Sequence, residues 1–298
     1  GTLLGIVSKN EESIAVEAIS SHPEMVLRLE DFAGWRINWN DKVDNIVDLV
    51  LDLKLGLQSV VFIDDSPVER LRVSAALPEV LVPEWPTDQL LYKKALFGLA
   101  CFDTPVITKE DLGRADFHAA ERKRAVIRND LETRDEWLCS LETQVIVESL
   151  NSSNLPRANQ LMNKTNQMNL ASRRMNEREM WRWAKQENHH MWTFRVVDKF
   201  GDAGLTGVAS IQRELDHGTV TDFVLSCRVI GRRVEETIIH FVTSAAKQLG
   251  VHFLNAQYIP TSRNQVCLEF WEEGSGFAMD ASGHSFILSL GTTTSVPD

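Results

Sequence analysis

The sequence predicts an α/β protein in two parts, a parallel sheet with helical crossovers followed by a mixed sheet. Three observations carry this expectation. In residues 1–87 short apolar runs alternate with amphipathic stretches, the pattern of parallel strands joined by helices. From about Leu141 the pattern changes to longer strands with a Gly-rich turn. The chain has 298 residues with 43% apolar content, enough for two domains at roughly 100–200 residues each. The expected divisions are residues 1–87, a helical connector at 88–140, a second domain at 141–290 and a tail at 291–298.

Element by element, TLLGIV (2–7) reads as a buried strand, SKN (8–10) as its loop and EESIAVEAIS (11–20) as a helix. Ile37 falls in a short extended piece. Asn40 or Asp41 can cap the next helix, whose Val43, Ile46, Val47, Val50 and Leu53 lie at helical spacing. Gly56 suits a left-handed helix stop. SVVFI (59–63) is a second buried strand, DDSP its loop, 68–76 a helix and EVLV (79–82) a further strand. Pro83 and Pro86 mark the exit. Residues 88–141 read as mostly helical, with a capping-box-like pair at Thr108 and Asp111. Arg114, Arg122, Lys123, Arg124 and Arg128 form either a solvated face or a docking surface for an acidic partner.

In the second part, strands are expected at 143–150, 191–197, 206–213 and 219–225, with a turn at Gly201–Gly204. Helices are expected at 155–166 and 176–185. The strongest helix begins near Arg233, carries Val234, Ile238, Phe241, Val242, Ala245 and Leu249 on one stripe, and stops at Gly250. Glu235 and Glu236 in its first turn and Lys247 in its last complement the helix dipole. The strand HFLNAQY and a short helix follow.

Composition narrows the function classes. The formal charge of −11 argues against nucleic-acid binding. No run of about 18 apolar residues is present, so no membrane span is expected. The first residues lack a basic start and a small-residue cleavage site, so no signal peptide is read. Cys101, Cys139, Cys227 and Cys267 are scattered and form no CxxC pair, which suggests a reducing cytoplasm. A parallel sheet rarely opens with so little before it, so residues upstream of Gly1 are expected.

Three loops of the first part should converge, because loops after parallel strands line the ligand crevice. Ser8 and Asn10 can hold a phosphate oxygen, Lys42 can neutralise its charge, and Asp64 and Asp65 can hold Mg²⁺ through oxygen ligands. In this order they resemble motifs two, three and four of the haloacid-dehalogenase phosphatases. That superfamily's first motif, a DxDxT-type segment with the aspartate nucleophile, lies upstream of these three and is absent here. The stretch SCRVIGRRVE (226–235) places Arg228, Val229, Gly231, Arg232 and Arg233 where a strand meets a helix N-terminus, a phosphate-binding context. Arg228-x-x-Gly231-x-Arg233 resembles the pyrophosphate loop of GNAT-type acyltransferases, with Arg233 in place of a small residue. Cys227 sits beside it, where arginines and a helix N-terminus favour thiolate, although a buried inert thiol is the commoner fate. The other three cysteines read as core. His118, His189, His190, His217, His240 and His252 show no ligand spacing.

With HPEMVL (22–27), INWNDK (37–42), LGLQSVVFIDDSPVER (55–70), LPEV (77–80), ITKEDLGR (107–114), NKTNQMN (163–169) and PTSRN (260–264), these segments resemble the FkbH-like family of glyceryl transferase/phosphatases over nearly the whole chain. The resemblance implies a haloacid-dehalogenase-like domain, incomplete at its N-terminus, joined to a GNAT-like mixed α/β domain. It implies that a glyceryl unit passes from a phosphorylated three-carbon acid, 1,3-bisphosphoglycerate, to the phosphopantetheine arm of an acyl carrier protein, with loss of phosphate, in polyketide biosynthesis. By position it makes Ser8 and Lys42 phosphate ligands, Asp64 or Asp65 a magnesium ligand and Cys227 the candidate thiol. Lys164, Thr165, Asn166 and Gln167 line the acyl pocket, completed by Thr261, Arg263 and Asn264. A polar helix end and a turn after a strand explain these last groups equally well. The alternatives are a non-catalytic module that docks a carrier protein and a plain phosphatase.

Overall fold

The computed structural model describes residues 2–53, 55–103, 114–281 and 283–291, with the side chains of residues 114–116, 118, 129 and 130 outside the description. Thr108, Asp111 and residues 292–298 also lie outside it. The chain divides into two compact units, Gly1–Asp130 and Leu131–Asp298. The division falls inside the stretch read as a connector.

The first unit opens with strand β1 (Leu4–Ser8), helix α1 (Glu12–Ser21) and strand β2 (Phe32–Ile37), and β1 and β2 pair in parallel. Helix α2 (Lys42–Asp52) starts where Asp41 accepts a bond from the Val43 amide. Its Leu49 lies so close over Gly5 and Gly34 that a Cβ at either would sit 3.1 or 2.8 Å from a Leu49 methyl, so a larger residue at either would push that side chain aside. Helix α3 (Pro67–Ala76) is capped by Ser66 and begins with proline, two local start signals together. Ile46, Val50, Phe62, Val73, Leu77 and Val80 form the core, with Val7, Val43 and Val47 against it. Short helix α4 (Tyr92–Phe97) and long helix α5 (Arg114–Asp130) complete the unit.

Several expectations are corrected here. SVVFI and EVLV are not full strands. Residues 57–59 form a 3₁₀ turn, and Val61 and Leu81 make a single parallel bridge with no bond to β1. An apolar run reads as a strand whether or not a partner ladder exists, and the partner is not local. Gly56 is extended at φ −97°, because α2 ends at Asp52, before it. The basic α5 is only partly a solvated face. Arg122 donates to the carbonyls of Phe32 and Leu29 and lies over the Trp35 ring, while Arg124 is buried against Glu121. Arg122 ties the helix to β2 and the turn before it, and Arg124 pairs within the helix, so neither guanidinium lies on a purely solvated face.

The second unit is a mixed sheet with helices on both faces. Helix α6 (Arg134–Ser140) carries a capping box of Thr133 and Glu136 and leads into strand β3 (Gln144–Ser149). Helix α7 (Leu155–Lys164), two-residue strand β4 (Met168–Asn169) and helix α8 (Glu177–Ala184) follow. Strands β5 (His189–Asp198), β6 (Gly201–Glu214) and β7 (His217–Leu225) are antiparallel neighbours. Then come helix α9 (Val234–Gln248), strand β8 (Phe253–Gln257), helix α10 (Gln265–Glu273) and strands β9 (Ala278–Met279) and β10 (Ser285–Ser289). The sheet order is β3-β5-β6-β7-β8-β10-β9, with β7–β8 parallel.

Alternation along the strands sorts side chains to two cores. Ala158, Leu161, Met162 and Met180 of α7 and α8 meet Met191, Val208 and Val224 on one face. Ile238 and Val242 of α9 and Cys267 and Trp271 of α10 meet Phe194, Ala209, Phe223 and Leu225 on the other. Each such large apolar side chain, fully buried, contributes about 1.5–3 kcal/mol. The hairpin turn falls at Lys199–Phe200, and Gly201 and Gly204 instead lie within β6 at positive φ, where the β5–β6 register shifts. Cys101 and Cys139 are exposed, not core, because each sits in a one- or two-turn helix with a single inward side; Cys267 is buried as expected. Strand β10 has no counterpart among the expected elements. Among the described residues, no helix is long and apolar enough to cross a membrane.

Candidate functional site

In the first unit the three expected loops meet at the carboxyl ends of the parallel strands. The loop after β1 is tied to α3 by Lys9 Nζ to Glu69 Oε1 at 2.7 Å, and Asn38 N donates to Ser8 O at 3.1 Å. Lys42, in the first turn of α2, places Nζ 2.6 Å from Asp64 Oδ2, with the two side chains only 12% and 7% exposed. Asp64 Oδ1 accepts from the Ser66 amide at 2.9 Å, and Arg70 donates to the carbonyls of Asp64 and Asp65. Arg72 binds Asp41 through two nitrogens. The Val43 amide first, and then Arg72, hold the Asp41 carboxyl below its usual range, while Glu69 raises Lys9. The half-buried Ser8 hydroxyl has no hydrogen-bond partner among the described residues, whereas Asn10 turns its oxygen back onto the Glu11 amide. Ser8, Lys42 and Asp64–Asp65 are thus brought to one end of the unit, and Asn10 acts as a local cap.

The carboxylates can be tested against the magnesium that the resemblance implies. The Asp64 carboxylate is already shared by Lys42 and the Ser66 amide, and the Asp65 carboxylate is exposed with no partner among the described residues. Among those residues no group of three His, Cys, Asp or Glu side chains could hold a metal. Mg²⁺ is commonly bound by one or two carboxylates with phosphate oxygens and waters completing six ligands, so this pair fits an ion shared with a bound phosphate rather than an all-protein cage.

In the second unit β7 and β8 pair only from His217 to Val220 with Phe253 to Ala256, and then part. The opening is occupied by the chain itself. Met168 and Asn169 pair with Leu225 and Val224, Leu170 N donates to Phe223 O at 3.1 Å, and Ile259 N donates to Leu170 O at 2.9 Å. Lys164–Gln167 lead directly into this segment, and Thr261–Asn264 flank it. Asn264, fully buried, accepts from Tyr258 Oη, Thr261 N and Thr261 Oγ1 and donates to Asn169 O and Ile259 O. It is a fully satisfied clasp rather than a ligand group. Asn166 Oδ1 accepts from Arg174 Nη2 at 2.6 Å, and Thr165 O from Asn169 Nδ2 at 3.0 Å. Lys164, Gln167 and Arg263 are exposed. The expected acyl-pocket residues therefore gather around the end of β7, next to partly exposed Cys227, but most of their polar atoms bind one another. Burial pushes the Cys267 thiol up to about 12, which keeps it protonated.

The loop from Arg228 to Arg233 departs from the expected phosphate cradle. Arg232 is buried in an ion pair with Asp198 at 3.1 Å, with side-chain exposures of 4% and 1%, and also donates to Arg228 O. Arg233, left-handed at φ 59°, pairs in solvent with Asp135. Val229 is fully buried. Gly231 takes φ 82°, and its amide donates to Glu235 Oε1 at 2.7 Å while its carbonyl accepts from Arg134. Glu235 was legible only as a charge complementing the helix dipole; its role in the loop needs the fold.

No family model matches the chain, and no curated protein matches it. Among solved structures, the N-terminal part of a Bacteroides fragilis protein containing a phosphatase domain, complexed with Mg, is similar at 41% identity over 36% of this chain and 28% of that one, with a TM-score of 0.35. This chain therefore spans little more than a quarter of that structure. Spermidine N-acetyltransferase from Vibrio cholerae, in complex with CoA and spermine, is similar at 14% identity over 49% of this chain and 96% of that one, TM-score 0.39. An acetyltransferase of the GNAT family from Staphylococcus aureus is similar at 8% identity over 50% and 100%, TM-score 0.38. The architecture itself is the two-part α/β fold expected from the sequence: a parallel-sheet unit, then a mixed sheet.

Proposed function

We propose that this chain is part of an enzyme that takes a phosphorylated three-carbon acyl donor, of the 1,3-bisphosphoglycerate type, and delivers the acyl unit to the phosphopantetheine thiol of an acyl carrier protein. The observation that carries this reading is the meeting of Ser8, Lys42 and the Asp64–Asp65 pair at one end of a parallel sheet, with a lysine and a free hydroxyl available to phosphate oxygens. Asp64 and Asp65 are the residues that would hold magnesium. When bound, the ion neutralises phosphate charge.

In the acyl step the carbonyl carbon's bond to the phosphate oxygen breaks and a carbon–sulfur bond forms. The thiol proton leaves with the departing phosphate, giving a thioester and inorganic phosphate. Removal of the second phosphate is a hydrolysis consuming one water. Cys227, at the end of β7 beside the loop, is the residue proposed to accept the acyl group first; a second thiol exchange then passes it to the carrier arm and returns the proton to Cys227. Polyketide assembly and the FkbH-like family are the context proposed for this reaction.

The test mixes the protein, the acyl phosphate donor, Mg²⁺ and a holo carrier protein, and weighs the carrier by mass spectrometry. A glyceryl mass gain supports the reading, and no gain with a full-length parent protein rejects it. Cys227→Ala that keeps full transfer removes the thiol intermediate. The rival reading, a non-catalytic carrier-docking module, is favoured by the inward-facing charges of the 228–233 loop; it is the outcome if the carrier binds without gaining mass.

A further inference from the structure

The loop that this reading assigns to the carrier arm already contains an anion. Glu235 lies in the first turn of the 15-residue helix α9, is only 5% exposed, and accepts the Gly231 amide at 2.7 Å through Oε1. Its other oxygen, Oε2, is buried with no hydrogen-bond partner among the described residues. A helix N-terminus offers free amides and a positive dipole end to one anion, and here a side chain of the same helix takes that place. The neighbouring charges relieve it only in part, Arg134 alone of them drawing the carboxyl toward its charged form. Arg232 is committed to Asp198, and Arg233 points to Asp135. Arg134 reaches the Gly231 carbonyl, and Glu236 adds a second carboxylate to the same turn.

We propose that Glu235 is a specificity-determining residue: its carboxylate holds the Gly231 amide and excludes highly charged phosphate ligands, such as free coenzyme A with its diphosphate and 3′-phosphate, from the helix N-terminus. This rests on the assignment of the loop to a pantetheine arm. The singly charged phosphodiester of a carrier-bound arm meets far less repulsion, and that difference separates carrier from free coenzyme A. Two like charges a few ångströms apart at the edge of a protein repel strongly enough to shift a binding constant by roughly tenfold or more.

The experiment measures binding of coenzyme A and of a holo carrier protein, by calorimetry, to the wild-type chain and to Glu235→Gln, which keeps an oxygen for the Gly231 amide and loses the charge. Glu236→Gln, exposed one position on, removes the same charge without touching the amide and is the control. The expected result is a gain for coenzyme A of roughly tenfold or more in Glu235→Gln, a smaller gain for the carrier, and a change within about twofold in Glu236→Gln. Equal coenzyme A affinity in wild type and Glu235→Gln, with the carrier bound by both, overturns the gate and leaves the assignment of the loop standing. Binding of neither ligand by any of the three overturns both. A thermal melt verifies that Glu235→Gln is folded; should it not be, Glu235→Ala, which removes the same charge, is used with the same criteria.

Discussion

The two units treat charged side chains near a phosphate-type loop in opposite ways. Past the end of β2 and at the start of α2, Lys42 and Asp64 form a tight pair at the carboxyl ends of the strands, where the Ser8 hydroxyl and the Asp65 carboxylate have no partner among the described residues. In the 228–233 loop, Arg232 and Asp198 are buried to within a few per cent, and Gly231 is held on both sides by side chains of its own unit. Both segments read alike in sequence, as basic residues at a strand–helix junction. One keeps groups for a ligand, whereas the other uses most of its charges to shape itself. A basic motif thus predicts a ligand only after its internal partners are known.

The comparison breaks most visibly at Asp198. Asp198→Ala takes from the buried Arg232 guanidinium its ion pair with Asp198, which costs about 3–5 kcal/mol and, at about 2–4 °C per kcal/mol, lowers the melting temperature of the second unit by roughly 6–20 °C. Phosphate binding by the first unit should be unchanged in that variant. Lys42→Met has the reverse profile. The Asp64 carboxylate keeps the Ser66 amide and reaches water, so the stability loss is smaller, about 1–3 kcal/mol, while affinity for inorganic phosphate with Mg²⁺ falls roughly tenfold or more. Calorimetry on both variants decides it. If Lys42→Met binds phosphate like wild type, the open site is not a phosphate site.

How much of this was legible follows from how local each signal is. The α2 cap, narrowed to Asn40 or Asp41, and the Ile46–Val50 stripe lie within one turn of the helix they specify, and the sequence alone locates them; the Ser66–Pro67 start is as local but reads as part of the DDSP loop. The Lys42–Asp64 pair, 22 positions apart, was legible because two loops after parallel strands must face the same crevice. Arg232–Asp198 spans 34 positions across a strand and a loop with no such rule, and the charge run gives no hint that one guanidinium turns inward. SVVFI misled because apolar content fixes burial but not pairing. Met168–Leu170 falls in no expected element; that it fills the opening beside β7 depends on partners more than fifty residues away.

Glu235 gives a subtler contrast, visible in pH. Burial, the largest cause, raises its carboxyl above the ordinary glutamate range; Glu236 adds to this, while its own amide, the Gly231 amide and Arg134 oppose it. A raised folded-state value means its contribution to stability is fully present below the unfolded value, about 4.3, and is lost as pH rises through the folded value. Glu235→Gln should therefore match wild type near pH 4 and melt a few degrees higher above pH 7. Melting curves across that range that stay parallel for the two proteins reject the buried charge.

The smallest effect belongs to the neighbour of the largest. Arg233 and Asp135 pair at 2.8 Å, as close as many buried pairs, but with side-chain exposures of 60% and 70%. In water the Coulomb gain is offset by desolvation and by the entropy of holding two long side chains, so Arg233→Gln should cost only about 0–1 kcal/mol. Its left-handed backbone at φ 59° is no obstacle, since glutamine adopts it as readily as arginine. One residue away, with the same charge and a similar partner, burial alone separates this variant from Asp198→Ala. If the two lower the melting temperature equally, then the inward-facing loop is not held by its buried pair, and the distinction between the units lies in something other than burial.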